Sequence, residues 1–129
     1  QDFSDYRTLM EVLKITPQGY WKNHYGMSGR LQQKDMAVGN TAAENIIINT
    51  FAPFYFFYSK RTGMSHFSKI AINLLETCSF ESNSKTKLFA TKKPLLKNSV
   101  DSQAIINLYD HYCSKKRCLK CGIAAAILK

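Results

Sequence analysis

One long apolar run, Thr41–Tyr58 (TAAENIIINTFAPFYFFY), most constrains how this chain can fold. Its apolar residues fall on nearly every side of a helix, which is typical of a helix buried in a protein core. Thr41 and Glu44 have the spacing of a capping box, which starts a helix. Pro53 lacks a backbone N–H, so we expect a kink there. We therefore predict an all-α fold of about five or six helices packed around a central, Pro-kinked, buried helix at 41–58.

The same run does not indicate a membrane span. Asn49, Thr50 and Pro53 interrupt it, and it is shorter than the roughly 20 apolar residues that cross a bilayer. Of the 129 residues, 45% are hydrophobic and 21% are charged, which is typical of a soluble globular protein. We expect one helical domain at 1–129, a cytoplasmic location and no membrane partner. Because the chain begins with Gln1, we also expect it to be a fragment of a longer protein.

Apolar periodicity predicts further helices on both sides of this run. Ser4 is the expected N-cap of the first helix, and Thr16 that of a short second helix. Tyr20, Trp21, His24 and Tyr25 fall on one side of the second helix, and we expect them to pack in the core. The alternative is an interaction patch if they are exposed, which would favour a structural domain that packs on another region. Ser65 is the expected N-cap of the next long helix, and Ser99 or Asp101 that of a further one. A last short helix is expected at Ile123–Leu128.

The chain is strongly basic. It has 18 Lys and Arg against nine Asp and Glu, a formal net charge of +9. Such an excess favours contact with phosphates or acidic partners. The alternative, which is commoner, is a solvated charged surface without a ligand. The residues that we expect to bind nucleic acid or another anion are Lys92, Lys93, Lys115, Lys116, Arg117 and Lys120.

The most distinctive local motif is YCSKKRCLKCG, in which Cys113, Cys118 and Cys121 have the spacing C-x4-C-x2-C. Thiolates two residues apart on a turn can bind one metal, and zinc or an iron–sulfur cluster needs four ligands. Cys78 is the natural fourth ligand, with His111 or His66 as a substitute. The competing interpretation, which we favour, is that these cysteines are small apolar residues that pack between helices, with no cofactor. A third interpretation is redox-active thiols, since the neighbouring Lys and Arg lower thiol pKa values.

No catalytic arrangement is evident in the sequence. His24, His66 and His111 have neither metal-ligand spacing nor the pattern of a catalytic triad. Gly26 and Gly29 lack the flanking strand and helix that a phosphate-binding loop requires. We therefore favour a non-catalytic domain.

Three segments resemble a known family in the same order. They are YWKNHY at 20–25, INTFAP at 48–53 with the Ile before it, and the stretch from Ser102 to Cys121 that ends in KRCLKC. Together they resemble the C-terminal part of an uncharacterised bacterial family, "domain of unknown function 2851", across nearly the whole chain. The three-cysteine ending is the most specific piece. The family pattern has Gly after the Ile that follows the last Cys, whereas Ala124 stands there in this chain.

The resemblance implies a longer protein with an N-terminal region that has no counterpart here, and it brings no established activity. We expect a non-catalytic helical domain of a larger bacterial protein that binds nucleic acid or an acidic partner through a basic face. One alternative is a cysteine-ligated zinc or iron–sulfur module accessory to a nucleic-acid enzyme. Another is a purely structural domain that packs on the missing N-terminal region.

Overall fold

The computed structural model describes residues 3–31, 36–89 and 96–127, and every regular element in these ranges is helical. The α-helices are α1 (Tyr6–Leu13), α2 (Asn40–Ile46), α3 (Ala52–Thr62), α4 (Ser65–Thr77), α5 (Ser84–Lys87), α6 (Ser99–Leu108) and α7 (Gly122–Ile127). Short 3-10 segments cover Gly19–Lys22 and Cys118–Lys120, and π-helical segments cover Ile47–Phe51 and Tyr109–Cys113. The predicted all-α fold is confirmed.

The chain divides into two compact units, Gln1–Cys78 and Ser79–Lys129. The first contains α1 to α4, and the second contains α5 to α7. The single domain at 1–129 therefore remains a prediction from the sequence. The core of the first unit is formed by a set of buried apolar residues: Leu9, Met10, Ala43, Ile47, Ile48, Ala52, Tyr55, Ala71, Leu74 and Cys78.

The long apolar run lies in unbroken helical backbone that extends from α2 through the π-helical segment into α3. The backbone N–H of Ala52 bonds to the carbonyl of Ile47, five residues back, which widens the turn just before Pro53. Pro53 then lies in the first turn of α3, where its missing N–H costs least. The kink at Pro53 remains a prediction.

Only one side of this helical run is buried. α4 packs along α3, and α1 packs along α2, so the sides that face these partners are covered. The opposite side is open, and Phe54 and Phe57 are 55% and 66% exposed. The prediction that residues 41–58 form a helix buried on every side was therefore wrong, because the first unit offers too few neighbouring helices to cover it.

The predicted capping box at the start of the run was also wrong. Gly39 is the N-cap of α2, and no side chain caps this end. Thr41 lies inside the helix, and Glu44 instead accepts a hydrogen bond of 2.7 Å from the hydroxyl of Tyr6 in α1. The carboxylate that was expected to start one helix thus ties two helices together.

Other helix starts are displaced from their predicted positions by a residue. Asp5, and not Ser4, caps α1 by accepting from the backbone N–H of Thr8 at 3.0 Å. Ser65 is the first residue of α4 and not its cap. Asn98 caps α6 in a full capping box with Asp101. These shifts are small because several capping residues lie side by side in the sequence.

The aromatic cluster at 20–25 is exposed, so its assignment to the core was wrong. Tyr20 and Trp21 lie in a 3-10 turn rather than the expected helix, and they are 47% and 46% exposed. The Tyr20 hydroxyl donates to the carbonyl of Met27 at 2.7 Å, and its ring stacks on His24 at 4.0 Å. The cluster is therefore held by its own loop and not by the core.

In the second unit, α5 and α6 are linked through buried and half-buried polar groups. Glu81 accepts hydrogen bonds from Gln103 at 2.5 Å and from Ser102 at 3.3 Å. Thr86 is fully buried and donates to the carbonyl of Glu81 at 2.8 Å. Sequence analysis missed α5, because a four-residue helix started by Asn83 leaves almost no periodic signal.

The Tyr6–Glu44 hydrogen bond predicts a measurable stability difference. We expect Tyr6→Phe to lower the free energy of unfolding by about 1–2 kcal/mol at pH 7, since a half-buried carboxylate loses the hydrogen bond from Tyr6. Tyr25→Phe is the matched control, because Tyr25 is 82% exposed and its variant should differ from the parent by less than about 0.5 kcal/mol. Urea unfolding followed by circular dichroism measures both, and equal effects would contradict the assignment.

The same tyrosine predicts a pH dependence. Burial first, and then the hydrogen bond to Glu44, raises the pKa of Tyr6 to about 12. Because the folded protein holds this proton more tightly than the unfolded chain, whose tyrosine pKa is about 10, the stabilisation is present below about pH 10. It is lost as the pH rises through about 12, and Tyr6→Phe should show a shallower loss of stability over that range than the parent.

Candidate functional site

The segment from Tyr109 to Cys121 carries most of the predicted site residues and forms a compact connection between α6 and α7. The backbone N–H of Arg117 bonds back to the carbonyl of Tyr112 at 2.9 Å. Lys116 adopts a left-handed backbone conformation, with φ 52°. The N–H of Cys121 then bonds to the carbonyl of Cys118 at 3.0 Å, which closes the 3-10 turn. The connection is thus held by its own backbone hydrogen bonds.

This connection places all three cysteines of the motif on one cavity. Cys113, Cys118 and Cys121 line a cavity of about 150 Å³. Its other walls are apolar or aromatic, and Phe89, Leu108, Tyr112, Ile123, Ala124 and Ile127 form them. Cys113 and Cys118 are exposed, whereas Cys121 is buried, and none of the three is in a disulfide. The structure therefore brings together the three thiols that the motif singled out.

Cys78, the predicted fourth ligand, lies in the first unit. It follows α4, is 1% exposed, and its backbone N–H bonds to the carbonyl of Leu74 at 3.0 Å. His111, the proposed substitute, has its Nδ1 3.1 Å from the carbonyl oxygen of Asn107. In the part of the chain that the structure describes, no group of three or more His, Cys, Asp or Glu side chains could hold a metal ion. Zinc or an iron–sulfur cluster remains a prediction from the motif alone.

The predicted anion-binding residues are exposed where the structure describes them. Lys115, Lys116, Arg117 and Lys120 all lie on the connection between α6 and α7, and we call them the basic segment. Within the described ranges, none of these four cations forms an ion pair. The other two predicted residues, Lys92 and Lys93, lie outside the described residues.

The acidic side chains of the second unit are already engaged. Residues 79–129 contain ten Lys and Arg against three Asp and Glu, so this unit has a formal charge of +7 out of the total of +9. Asp110 pairs with Lys85 at 2.6 Å, and Asp101 accepts from the backbone N–H of Lys97 at 2.7 Å. Glu81 accepts from Gln103, as described above. No carboxylate between 111 and 127 offsets the basic segment.

An apolar groove adjoins the basic segment. A second cavity, of about 360 Å³, lies along α6 and shares Leu108, Tyr112 and Ile123 with the cysteine-lined cavity. We call the two together the α6–α7 groove. The sequence pattern did not predict this groove, although Ile123 and Ile127 lie four residues apart and so share one side of α7.

The comparisons with known proteins identify the family and leave its activity open. Residues 1–84 match the model of a family described as "Protein of unknown function (DUF2851)". Because the match covers more than half of the chain, the protein belongs to this family. The match ends before the three-cysteine segment, so the resemblance of that segment remains a prediction. A search of curated proteins and a search of solved structures each found no match.

One further finding concerns membranes. Within residues 3–31, 36–89 and 96–127, no helix has the length and hydrophobicity to traverse a bilayer.

The exposure of the cysteines predicts an order of thiol reactivity. We expect Cys113 and Cys118 to react with a thiol-specific reagent in the native protein much faster than Cys121 and Cys78, because the reagent reaches only exposed sulfur. Quenched alkylation followed by peptide mass spectrometry measures each rate, and urea-unfolded protein is the control in which all four should react alike. Equal native rates would contradict the described cavity. Protection of all three motif cysteines by added zinc would instead favour the metal-site prediction.

Proposed function

We propose that this member of the DUF2851 family contains a non-catalytic binding module, and that the basic segment of its second unit binds an acidic stretch of a partner protein. The observation that carries the proposal is the set of four exposed cations that form no ion pair within the described residues, next to an open apolar groove. In this proposal the protein is bacterial, as the family resemblance implies, and cytoplasmic. Thiols exposed at Cys113 and Cys118 suit a reducing compartment.

The charge distribution supports binding of an anionic partner. Positive charge that is not neutralised within its own unit attracts negative surfaces and raises association rates. The four cations lie within six residues on a connection held by backbone hydrogen bonds, so they act on one part of the partner. Such contacts are weakened by salt, because the charges are exposed to solvent.

The neighbouring apolar surface favours a protein as the partner. Leu119 lies between Arg117 and Lys120 in the sequence and is 95% exposed. Ile127, in α7, is 76% exposed. A phosphate backbone has no apolar surface to cover these side chains, whereas a peptide with mixed side chains does. Three aromatic residues of this unit could stack with bases, and Phe89, Tyr109 and Tyr112 are each half-buried, so they present little ring surface for it.

Nucleic acid is the second candidate, and the charge of +7 in the second unit favours it. Sequence-independent binding to phosphates requires little more than a cluster of Lys and Arg, and it depends steeply on salt. The two candidates share the basic segment, so a direct comparison of two anionic probes separates them.

The proposal predicts salt-sensitive binding of an acidic peptide. We expect a fluorescein-labelled 20-residue polyglutamate to bind in fluorescence anisotropy at about 50 mM salt and to bind more weakly at about 150 mM. Replacing Lys115, Lys116, Arg117 and Lys120 by Ser should weaken binding by about tenfold or more, because four charge contacts are lost. The matched control replaces Lys14, Lys22, Arg61 and Lys69 by Ser, which removes the same charge from exposed positions of the first unit.

Three outcomes would count against the proposal. Absence of polyglutamate binding at low salt would contradict the proposal. Equal losses of affinity in the basic-segment variant and in the first-unit control variant would show that only net charge matters. If duplex DNA of matched charge binds more tightly than the peptide and loses more affinity in the basic-segment variant, the nucleic-acid candidate replaces it.

A further inference from the structure

We infer that the partner segment is an acidic amphipathic helix that lies in the α6–α7 groove, with its apolar side chains in the groove and its carboxylates beside the basic segment. This inference rests on the proposed function, and it adds the chemical class and the position of the partner.

The groove consists of two neighbouring cavities, of about 360 and 150 Å³, which share Leu108, Tyr112 and Ile123. α6 forms one wall, with Ile105 and Leu108, and α7 forms the other, with Ile123 and Ile127. A concavity between two helices is the usual receptor for a third helix that inserts apolar side chains at intervals of three and four residues.

The walls of the groove are apolar and remain open. Ile123 and Ile127 are 55% and 76% exposed, although both are large aliphatic residues on one short helix. Cys113 and Cys118 add polarisable thiol groups, which pack readily against apolar side chains. Open apolar surface of this kind, bordered by charged residues, is typical of a protein interaction site.

Charge complementarity selects an acidic occupant. The basic segment lies on the connection that carries Cys113, Cys118 and Cys121, and these cysteines line one end of the groove. Residues 111–127 contain four cations and no carboxylate. A helix with Glu or Asp along the border of its apolar face gains ion pairs here, whereas a basic amphipathic helix is repelled.

Other ways of binding a partner fit this surface less well. In the described residues of the second unit, the β-structure is an isolated bridge between Ser79 and Asn98, which offers no strand edge for a peptide to extend. An anionic lipid surface would contact the exposed Leu119 and Ile127 but would leave the two cavities along α6 unfilled. The groove therefore favours a helical peptide, and a lipid surface becomes an outcome of the test.

The test compares two peptides of equal charge with the intact chain. The first is an 18-residue helical peptide in which Leu residues spaced i, i+3, i+4, i+7 form one apolar face and Glu residues border that face. In the second peptide, every Leu is replaced by Ser. We expect the Leu peptide to bind about tenfold or more tightly than the Ser peptide in fluorescence anisotropy. We also expect it to slow alkylation of Cys113 and Cys118, since both line the groove.

A matched pair of variants locates the binding site. I123S/I127S should abolish most of the preference for the Leu peptide and leave polyglutamate binding unchanged, because the basic segment is intact. I15S/I72S is the control, since it removes two exposed isoleucines from the first unit, and it should keep the preference. Circular dichroism checks that both variants fold.

The outcomes separate this inference from the proposed function. If the two peptides bind equally and both depend on the basic segment, the groove inference is overturned and the proposed function stands. If neither peptide nor polyglutamate binds, both are overturned. If vesicles with a quarter of anionic lipid bind through Ile123 and Ile127 more tightly than the Leu peptide does, the occupant is a lipid surface and the inference is overturned.

Discussion

Small size is the physical constraint on which the rest of this structure depends. The chain forms two compact units, and units of this size have a high ratio of surface to volume, so they cannot cover all the apolar surface that their sequences contain. In the first unit, one side of the helical run packs on α4 while Phe54 and Phe57 stay open. In the second, α7 leaves Ile127 uncovered beside the α6–α7 groove.

The formal charge is also distributed unequally between the two units. Most of the formal positive charge belongs to the second unit, where the three carboxylates serve the unit's own structure as an ion pair, a helix cap and a hydrogen-bond acceptor. The basic segment is therefore left without a described ionic partner, and it stands next to the groove. These two features together are the basis for proposing a protein partner, since each alone is common on protein surfaces.

The spacing of the three motif cysteines indicates a metal site, whereas the apolar residues around them do not. The spacing of Cys113, Cys118 and Cys121 is compatible with metal binding, and the structure does place them on one cavity. The remaining walls of that cavity are apolar, and Cys78 belongs to the core of the first unit. Of the three, Cys121 is buried in these surroundings, whereas Cys113 and Cys118 are exposed, so metal binding and packing between helices both remain predictions from the motif.

The sequence by itself determined the helical class and the positions of the long helices. These features are local, because periodicity and turn chemistry act over a few residues. Only the tertiary structure decided which side of each helix is covered, that Glu44 binds Tyr6 instead of capping a helix, and that the aromatic cluster at 20–25 is open. The α6–α7 groove belongs to this second group. Each of these depends on residues distant in sequence coming together, and a single sequence carries no direct signal of such pairings.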